Sequence, residues 1–512
     1  MVANSNLKNK RYALISTFDK SNLKSICHIL KKFSIKIIST GMTAKHIRKL
    51  GFSCLNVSDL TKTKEILNGR VKTLHPKIHA SLLFDRNNPE HIVTFNSLHF
   101  PKIDFIISNL YPVKNFINNK NNNKILEMID IGGPTLLRSA AKNFNSVTTI
   151  SSPDLYSSFV KEMKINKGST TLDFRKNMAG LVFTLTSDYD LIISKWLTSA
   201  SKNSLKLNYK NKIALLYGEN PNQTANIFYK NKKENFITNQ IQGKRLSYNN
   251  ILDIDAAINC LHEFKEPTCI IIKHNNPCGA ASDLTVNKAY DRAMVTDPIS
   301  SFGGIIALNR TLDEPLAKKI SKNFIEIVIA KTFDKKALRI FNSKKRLILI
   351  KISTSKLNKM NEIKSINGGY LEQEKNLTKI NKRLLVQASN YKSKLSQLND
   401  LIFALKICKH VKSNAIVLCK NKQTIGIGAG QMSRIDAVKI ALKKCKKEEK
   451  QDGFVAASDA FFPFIDNIKL LLKNNCKAIV EPSGSINDEK IVNYVNTKKI
   501  PLYFSKNRFF KH

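Results

Sequence analysis

Two periodicities alternate along the first 150 residues of the chain. Short apolar runs at Tyr12–Ser16, Ile35–Ser39, Ile103–Ser108 and Val147–Ile150 predict strands. Ser21–Phe33 and Thr43–Leu50 space their apolar residues for amphipathic helices. Strands separated by helices predict a parallel α/β sheet. A polar run from Thr198 to Lys212, rich in Ser, Asn and Lys, predicts a linker and divides the chain near residue 200. Beyond it Cys269–Ile272, Ile305–Leu308, Ile327–Ile329, Ala415–Leu418 and Ala478–Val480 read as strands among further helical patterns. Lys331–Asp400 is Lys- and Asn-heavy with weak periodicity, and no regular short repeat is visible.

One predicted strand ends unusually. Cys269–Ile272 runs into Lys273, His274, two asparagines, Pro277, Cys278 and Gly279. A core strand does not need a cation beside an imidazole at its end, whereas a site at the carboxyl end of a sheet does. The amides, proline and glycine are expected to turn the chain there. The Lys273 ammonium disfavours imidazolium, which would leave His274 neutral and able to accept a proton.

Composition narrows the partners. At 512 residues the chain exceeds one ordinary core, and 42% hydrophobic content is ample for globular packing. The net charge of +45 would attract nucleic acid, membranes or acidic metabolites. The lysines are scattered, however, with no Arg-rich arm, so the charge reads as solvated surface and no specific nucleic-acid partner is expected. Nine cysteines without a C-x-x-C pair argue against a disulfide framework or a zinc knuckle and for a reducing compartment. No apolar run approaches the ~18 residues of a membrane span, and Tyr12–Ile15 is too short for a signal core. A soluble cytoplasmic protein is expected.

Several segments carry candidate chemistry. Ser16–Lys20 and Ser39–Thr43 each follow a strand and precede a helix, which suits a phosphate; ordinary N-capping is the competing reading. In Asn68–Lys77, Arg70 offers a bidentate fork and Lys72 a point charge. His75 and His79 sit four apart, but Pro76 interrupts the helix and no further ligand completes a metal set. Asp130, the Gly132-Gly133 turn, Lys142 and the Asn109–Pro112 segment supply an acid, an ammonium and a phenol, types that suit a dehydration. A surface ion pair would account for them equally. The glycines of Ile425–Arg434 allow a ligand close to the backbone, although Gln431 departs from the dinucleotide fingerprint. Ser458–Asp466 pairs a cluster of rings with two acids, more often core than ligand platform.

These blocks, with Tyr217–Pro221, Lys244–Asn250 and Lys412–Val417, resemble in order the bifunctional purine-biosynthesis family that joins AICAR formyltransferase to IMP cyclohydrolase. The resemblance implies an IMP cyclohydrolase domain at 1–200 with a methylglyoxal-synthase-like parallel sheet. It implies an AICAR formyltransferase domain at 201–512 made of two cytidine-deaminase-like α/β/α units. A homodimer with transferase sites at its interface, 10-formyltetrahydrofolate as co-substrate and no catalytic metal follow from it. A zinc hydrolase is the alternative that the deaminase-like fold raises. Pro277-Cys278-Gly279 carries part of that signature, but its second cysteine and an H-x-E are absent.

Residue by residue, the resemblance implies that His274 relays the amine proton and Lys273 stabilises the tetrahedral centre. Asn414 would orient the formyl oxygen or donate to its oxyanion. Tyr217, Gly218, Asn249, Arg434, Phe461, Asp466 and Arg508 would contact nucleotide or folate. Around ring closure it places Lys72, Tyr111, Asp130 and Lys142, with Lys142 protonating the leaving hydroxyl while Asp130 holds it. Ser16, Lys20, Ser39, Thr40, Gly41, Arg70 and Thr73 would bind that substrate. Leu216 stands where the family has a phosphate-binding arginine, Asn222 where it has a histidine, and Met42 where it has a glycine. Weakened nucleotide affinity in the transferase half is therefore expected.

Overall fold

A computed structural model describes residues 10–117, 119, 121–198, 211–229, 239–352 and 361–512, so 199–210 of the predicted linker lie outside the described residues. The chain forms two compact units, Met1–Asn208 and Tyr209–His512. Among the described residues no helix is long and apolar enough to cross a membrane.

In the first unit β1 (Arg11–Thr17), α1 (Leu23–Lys32), β2 (Lys36–Ser39), α2 (Gly41–Lys49), β3 (Leu55–Asn56), β4 (Lys102–Asn109), α3 (Gly132–Lys142) and β5 (Thr148–Ile150) build the frame. The strands form one parallel sheet in the order β3-β2-β1-β4-β5. Helix α1 buries Leu23, Ile26, Cys27 and Leu30, the i, i+3, i+4, i+7 face that its spacing predicts. Helix α2 starts at Gly41, two residues before the expected Thr43.

The second unit opens with a hairpin of β6 (Asn211–Ala214) and β7 (Asn226–Tyr229), followed by β8 (Gln240–Gln242). Then come α4 (Tyr248–Leu261), β9 (Thr268–Lys273), β10 (Asn276–Ser282), α5 (Val286–Thr296), β11 (Ile305–Leu312), α6 (Glu314–Ser321), β12 (Ile327–Phe333), α7 (Lys335–Phe341) and β13 (Ile348–Lys351). After an isolated hairpin, β14 (Glu362–Ile366) and β15 (Gly369–Gln373), and a short β16 (Leu385–Gln387), the same succession returns. It comprises α8 (Leu395–Cys408), β17 (Ile416–Lys420), β18 (Gln423–Gly428), α9 (Arg434–Lys444), β19 (Phe454–Ser458), α10 (Ile465–Lys473), β20 (Cys476–Pro482), α11 (Asp488–Thr497) and β21 (Leu502–Ser505).

The two copies join edge to edge through β10 and β18 in one twelve-stranded mixed sheet. From that seam the order runs β10-β9-β11-β12-β13-β8 on one side and β18-β17-β19-β20-β21-β16 on the other. Strand β9 shows why its sequence is continuously apolar. Ile270 and Ile272 pack with α4 on one face, while Cys269 and Ile271 pack with α5 on the other. All four side chains are fully buried, each apolar one contributing about 1.5–3 kcal/mol.

Three expectations are corrected here. The chain turns at His274 and Asn275, both in the left-handed region, and not at the proline and glycine. Lys273 pairs with Asn276 across this two-residue tip, and Pro277–Gly279 lie inside β10, with a register shift that accommodates the missing proline N–H. Strand β9 is antiparallel to both neighbours, so its end is a hairpin tip rather than the carboxyl edge of a parallel sheet. Two of the glycines before Arg434 also serve packing. A Cβ on Gly426 would collide with the Ala441 carbonyl and one on Gly428 with that of Ala437, so both let α9 lie against β18.

Candidate active sites

In the first unit, parallel strands deliver hydroxyls to one edge. Ser16 Oγ lies 3.1 Å from Thr40 Oγ1 beyond β1 and β2, and buried Ser39 donates to the Ile15 carbonyl at 2.7 Å. Thr40 is the N-cap residue of α2, yet its side chain caps no amide. The first turn of α2, with Gly41 at φ 29°, therefore keeps donors for an anion. Glu65 reaches this turn, its Oε1 3.1 Å from where a Gly41 Cβ would stand, and pairs with Lys72 Nζ at 3.5 Å. Lys20 Nζ donates to the Phe18 carbonyl at 3.1 Å. Arg70 is exposed and ion-paired with Glu127.

Beside this cradle Asp130 is held by the Gly133 N–H, which donates to Oδ1 at 2.7 Å. A side chain on Gly133 would collide with that carboxylate. Burial raises the Asp130 pKa, opposed by the N–H groups of Gly133 and Tyr111 and by the Lys72 charge. The Tyr111 ring lies 5.2 Å from that of Phe18, and buried Thr73 faces Gly132. Lys72, Thr73, Tyr111 and Asp130 thus gather. Lys142 does not join them: it is exposed at the far end of α3, about 15 Å along the axis from Gly132. Asp130 cannot hold it within one copy of the chain.

In the second unit hydrogen bonds link several of the remaining candidates. Tyr217 accepts at its carbonyl from Tyr248 N–H (3.0 Å), Gly218 N–H donates to the Gln223 carbonyl (2.7 Å), and Asn249 Nδ2 donates to the Glu219 carbonyl (3.0 Å). This turn therefore sits on the first turn of α4. Farther along α4, Asp253 Oδ1 accepts the Asn275 N–H at 2.6 Å. Lys273 Nζ donates to the carbonyls of Phe302 and Gly303 at 3.1 and 2.8 Å. Asn276 Oδ1 then accepts the Lys412 N–H at 2.8 Å, tying the His274 tip to the segment that carries Asn414.

The Asn414 side chain is fully engaged. Nδ2 donates to the carbonyls of Gln431 and Met432 at 2.8 and 3.2 Å, and Oδ1 accepts from Arg434 at 2.5 Å. Arg434 is itself buried, and its other nitrogen serves Asp459 and Ser458. Its fork is consumed inside the protein. Phe461 is half-buried and Asp466 exposed, with Oδ1 accepting from the backbone and side chain of Asn467. Arg508 is exposed over the Phe510 ring at 4.3 Å, and neighbouring Phe509 N–H donates to the Asp459 carbonyl at 2.9 Å. Sequence reasoning missed Asp253 and Glu65, since a single helix aspartate and a loop glutamate carry no local signal, and it counted Asp459 among the two acids of the aromatic cluster without giving it a role. The thiol of Cys278, a ligand candidate for a zinc hydrolase, is buried and pushed up to about 11 by desolvation. Among the described residues no three His, Cys, Asp or Glu side chains are grouped to hold a metal.

Comparison with known proteins finds two family models along the chain, which meet near residue 140 and not at the boundary between the two units. The family described as AICARFT/IMPCHase bienzyme matches residues 140–444, and that described as MGS-like domain matches residues 22–135. The chain is 44% identical to "Bifunctional purine biosynthesis protein PurH" of Caldicellulosiruptor bescii, over 98% of this chain and all of the relative. Proteins of the same name from Fusobacterium nucleatum and Bacillus cereus are 43% and 41% identical, over 98% of this chain and all of each relative.

Proposed function

The chain belongs to the AICARFT/IMPCHase bienzyme family and carries out the AICAR formyltransferase and IMP cyclohydrolase steps of purine synthesis; from this premise we propose how its residues divide the work. The first unit closes the ring and the second transfers the formyl group from 10-formyltetrahydrofolate, in a cytoplasmic homodimer. The observation that supports the transferase assignment is the Asn276–Lys412 hydrogen bond, which ties the His274 tip to the segment that carries Asn414.

In formyl transfer the 5-amine nitrogen of AICAR attacks the formyl carbon, and the carbonyl π pair moves to oxygen. The amine conjugates with its ring and is a weak nucleophile, so it needs positioning and a base. His274 takes the amine proton. Collapse returns the pair to the carbonyl, breaks the carbon–N10 bond and leaves tetrahydrofolate, which takes a proton at N10. Lys273 has two N–H groups fixed by Phe302 and Gly303 and a third for the oxyanion. Asn414 donates to that oxygen only by exchanging its longer bond, the one to Met432 at 3.2 Å. Arg434 acts through Asn414 rather than on the nucleotide.

In ring closure the carboxamide nitrogen attacks the formyl carbon, and the resulting hydroxyl leaves as water. The phosphate lies on Ser16, Thr40 and the first turn of α2, and Lys72, Tyr111 and Asp130 surround the reacting carbon. Burial raises the Asp130 pKa, and its carboxyl exchanges protons with the reacting centre, taking the carboxamide N–H proton as nitrogen attacks and returning it to the departing oxygen. The test is His274→Ala, assayed separately for formylated intermediate and for IMP made from it. Formyl transfer is lost and ring closure kept; equal loss of both, or retention of both, refutes the assignment.

A further inference from the structure

The two copies in the second unit hold their hairpins alike. Strands β9 and β10 meet at His274 and Asn275, with φ 51° and 64°, and β17 and β18 meet at Asn421 and Lys422, with φ 52° and 56°. None is glycine, so each tip holds two side-chain-bearing residues in a region that L residues rarely occupy. Such a tip needs support from outside itself.

That support is an aspartate at the sixth position of the preceding helix in both copies. Asp253 of α4 accepts the Asn275 N–H at 2.6 Å. Asp400 of α8 accepts the N–H groups of Asn421 and Lys422 at 2.7 and 2.6 Å. The same interval in sequence separates the two aspartates and the two tips. Beyond this shared device the tips diverge. At the second, Arg292 donates to the Asn421 carbonyl, Lys422 Nζ pairs with Glu266 at 2.7 Å, and the Lys422 carbonyl accepts from Ser282 at 3.0 Å. At the first, no hydrogen bond holds the His274 ring among the described residues, and the tip's carbonyl at His274 meets only Asn276 Nδ2, at 3.1 Å.

We propose that Asp253 is a positioning residue for formyl transfer: by taking the Asn275 N–H it fixes the left-handed tip and hence the place of the His274 imidazole. This rests on the reading of His274 given above. An imidazole with no bond of its own is located only by its backbone, so the N–H bond one residue on decides where its nitrogen stands. The side chain of Asp253 does not touch substrate in this account. Its carboxylate also stands near enough for the Lys273 and His274 charges to act on it, and it reaches catalysis through those residues.

The full chain is assayed for formyl transfer and for ring closure as His274→Ala, Asp253→Ala, Asp253→Asn and Asp400→Ala. Asp253→Ala lowers kcat for formyl transfer at least about tenfold, because a displacement near 1 Å costs as much as a hundredfold. Its KM for AICAR moves less than about threefold and ring closure is unchanged, the pattern of lost positioning rather than lost binding. Asn keeps an acceptor oxygen, so Asp253→Asn returns kcat to within about threefold of the parent. Asp400→Ala loosens the other tip and leaves formyl-transfer kcat within about twofold, whatever its effect on Tm. Equal kcat losses for Asp253→Ala and Asp400→Ala, a change confined to KM, or no rescue by Asn overturns the proposal. Where Asp253→Ala does not fold, Asp253→Glu decides, since the extra methylene displaces the carboxylate; unchanged kcat at unchanged Tm then overturns it. Formyl transfer that survives His274→Ala overturns the underlying reading instead.

Discussion

Replacing Arg434 by leucine strands a carboxylate. Arg434 is 6% exposed and Asp459 0%, and the guanidinium also donates to Ser458 Oγ at 2.9 Å and Asn414 Oδ1 at 2.5 Å. Removing one partner of a buried pair costs about 3–5 kcal/mol, and the charged bond to Asn414 is worth about 1.5–3 kcal/mol. These losses share one side chain and do not add fully, so about 5 kcal/mol is expected. At about 2–3 °C per kcal/mol for a unit of this size, its Tm falls by roughly 10–15 °C. The double variant Arg434→Leu/Asp459→Asn removes both charges and keeps an acceptor for the Ala415 N–H, now 3.2 Å from Asp459. Neutral replacement of a buried pair is often without cost, so most of the Tm returns. Formyl transfer does not return, because Asn414 Oδ1 still lacks its donor. Scanning calorimetry gives the Tm, and ring closure by the same sample serves as the internal control. A double variant that regains formyl transfer together with its Tm would show that Arg434 does not position Asn414.

Three further outcomes are expected. Lys72→Ala lowers ring closure by at least about a hundredfold, as losing a group that stabilises developing charge does, while Lys142→Ala stays within about threefold; steady-state rates with the formylated ribotide decide, and the reverse order would place Lys142 at the site. Gly428→Ala drives a Cβ into the Ala437 carbonyl and costs about 1–3 kcal/mol through forced separation of α9 from β18, read from urea midpoints, and wild-type stability would refute the packing role. Burial pushes Glu481 up to about 8 from its ordinary 4.5 although it accepts the Phe462 N–H at 2.5 Å. The folded state therefore holds a proton that the unfolded state loses. This contribution is complete below about pH 4.5, declines between 4.5 and 8 and is gone above that. Glu481→Gln flattens that decline in a Tm-against-pH series, and an unaltered slope would exclude Glu481 as its source.

The fold was largely legible wherever an element buries a regular face. Strands β1, β2, β4 and β5 of the first unit, α1 and β9 carried their period in the sequence because each meets neighbours on one or both sides, whereas the two-residue β3, which is not buried, carried none. Lys331–Asp400 resisted reading for the opposite reason. Its hairpin β14–β15 pairs only with itself and leaves Ile366, Tyr370 and Leu371 exposed, so no burial pattern marks it. Turn chemistry misled at Pro277 and Gly279, which usually mark a turn and here lie in a strand. Gly279 lets the strand pass under α5, where a Cβ would collide with the Ala293 carbonyl, and the turn itself falls on a histidine and an asparagine. Among the candidate site residues, the Tyr111 backbone and Lys72 lie near Asp130. Arg434 was misleading because a cation beside a glycine-rich loop looks alike whether it faces a ligand or a buried aspartate.

The internal repeat explains why motif reading found His274 and not its support. Helices α4 and α8 share length, place and one aspartate, but their sequences, Tyr-Asn-Asn-Ile-Leu-Asp and Leu-Ser-Gln-Leu-Asn-Asp, share no other residue in that stretch. What persists is what the backbone requires: a carboxylate for the N–H groups of a left-handed tip, and a glycine where each hairpin passes beneath a helix, Gly279 against Ala293 and Gly426 against Ala441. What differs is what the tip presents. Arg292 and Glu266 tie down Asn421 and Lys422, whereas among the described residues no hydrogen bond holds the ring of His274 beside Lys273. On the proposed role of His274, chemistry uses the copy whose tip stayed open, and the framework beneath that tip is the same in both.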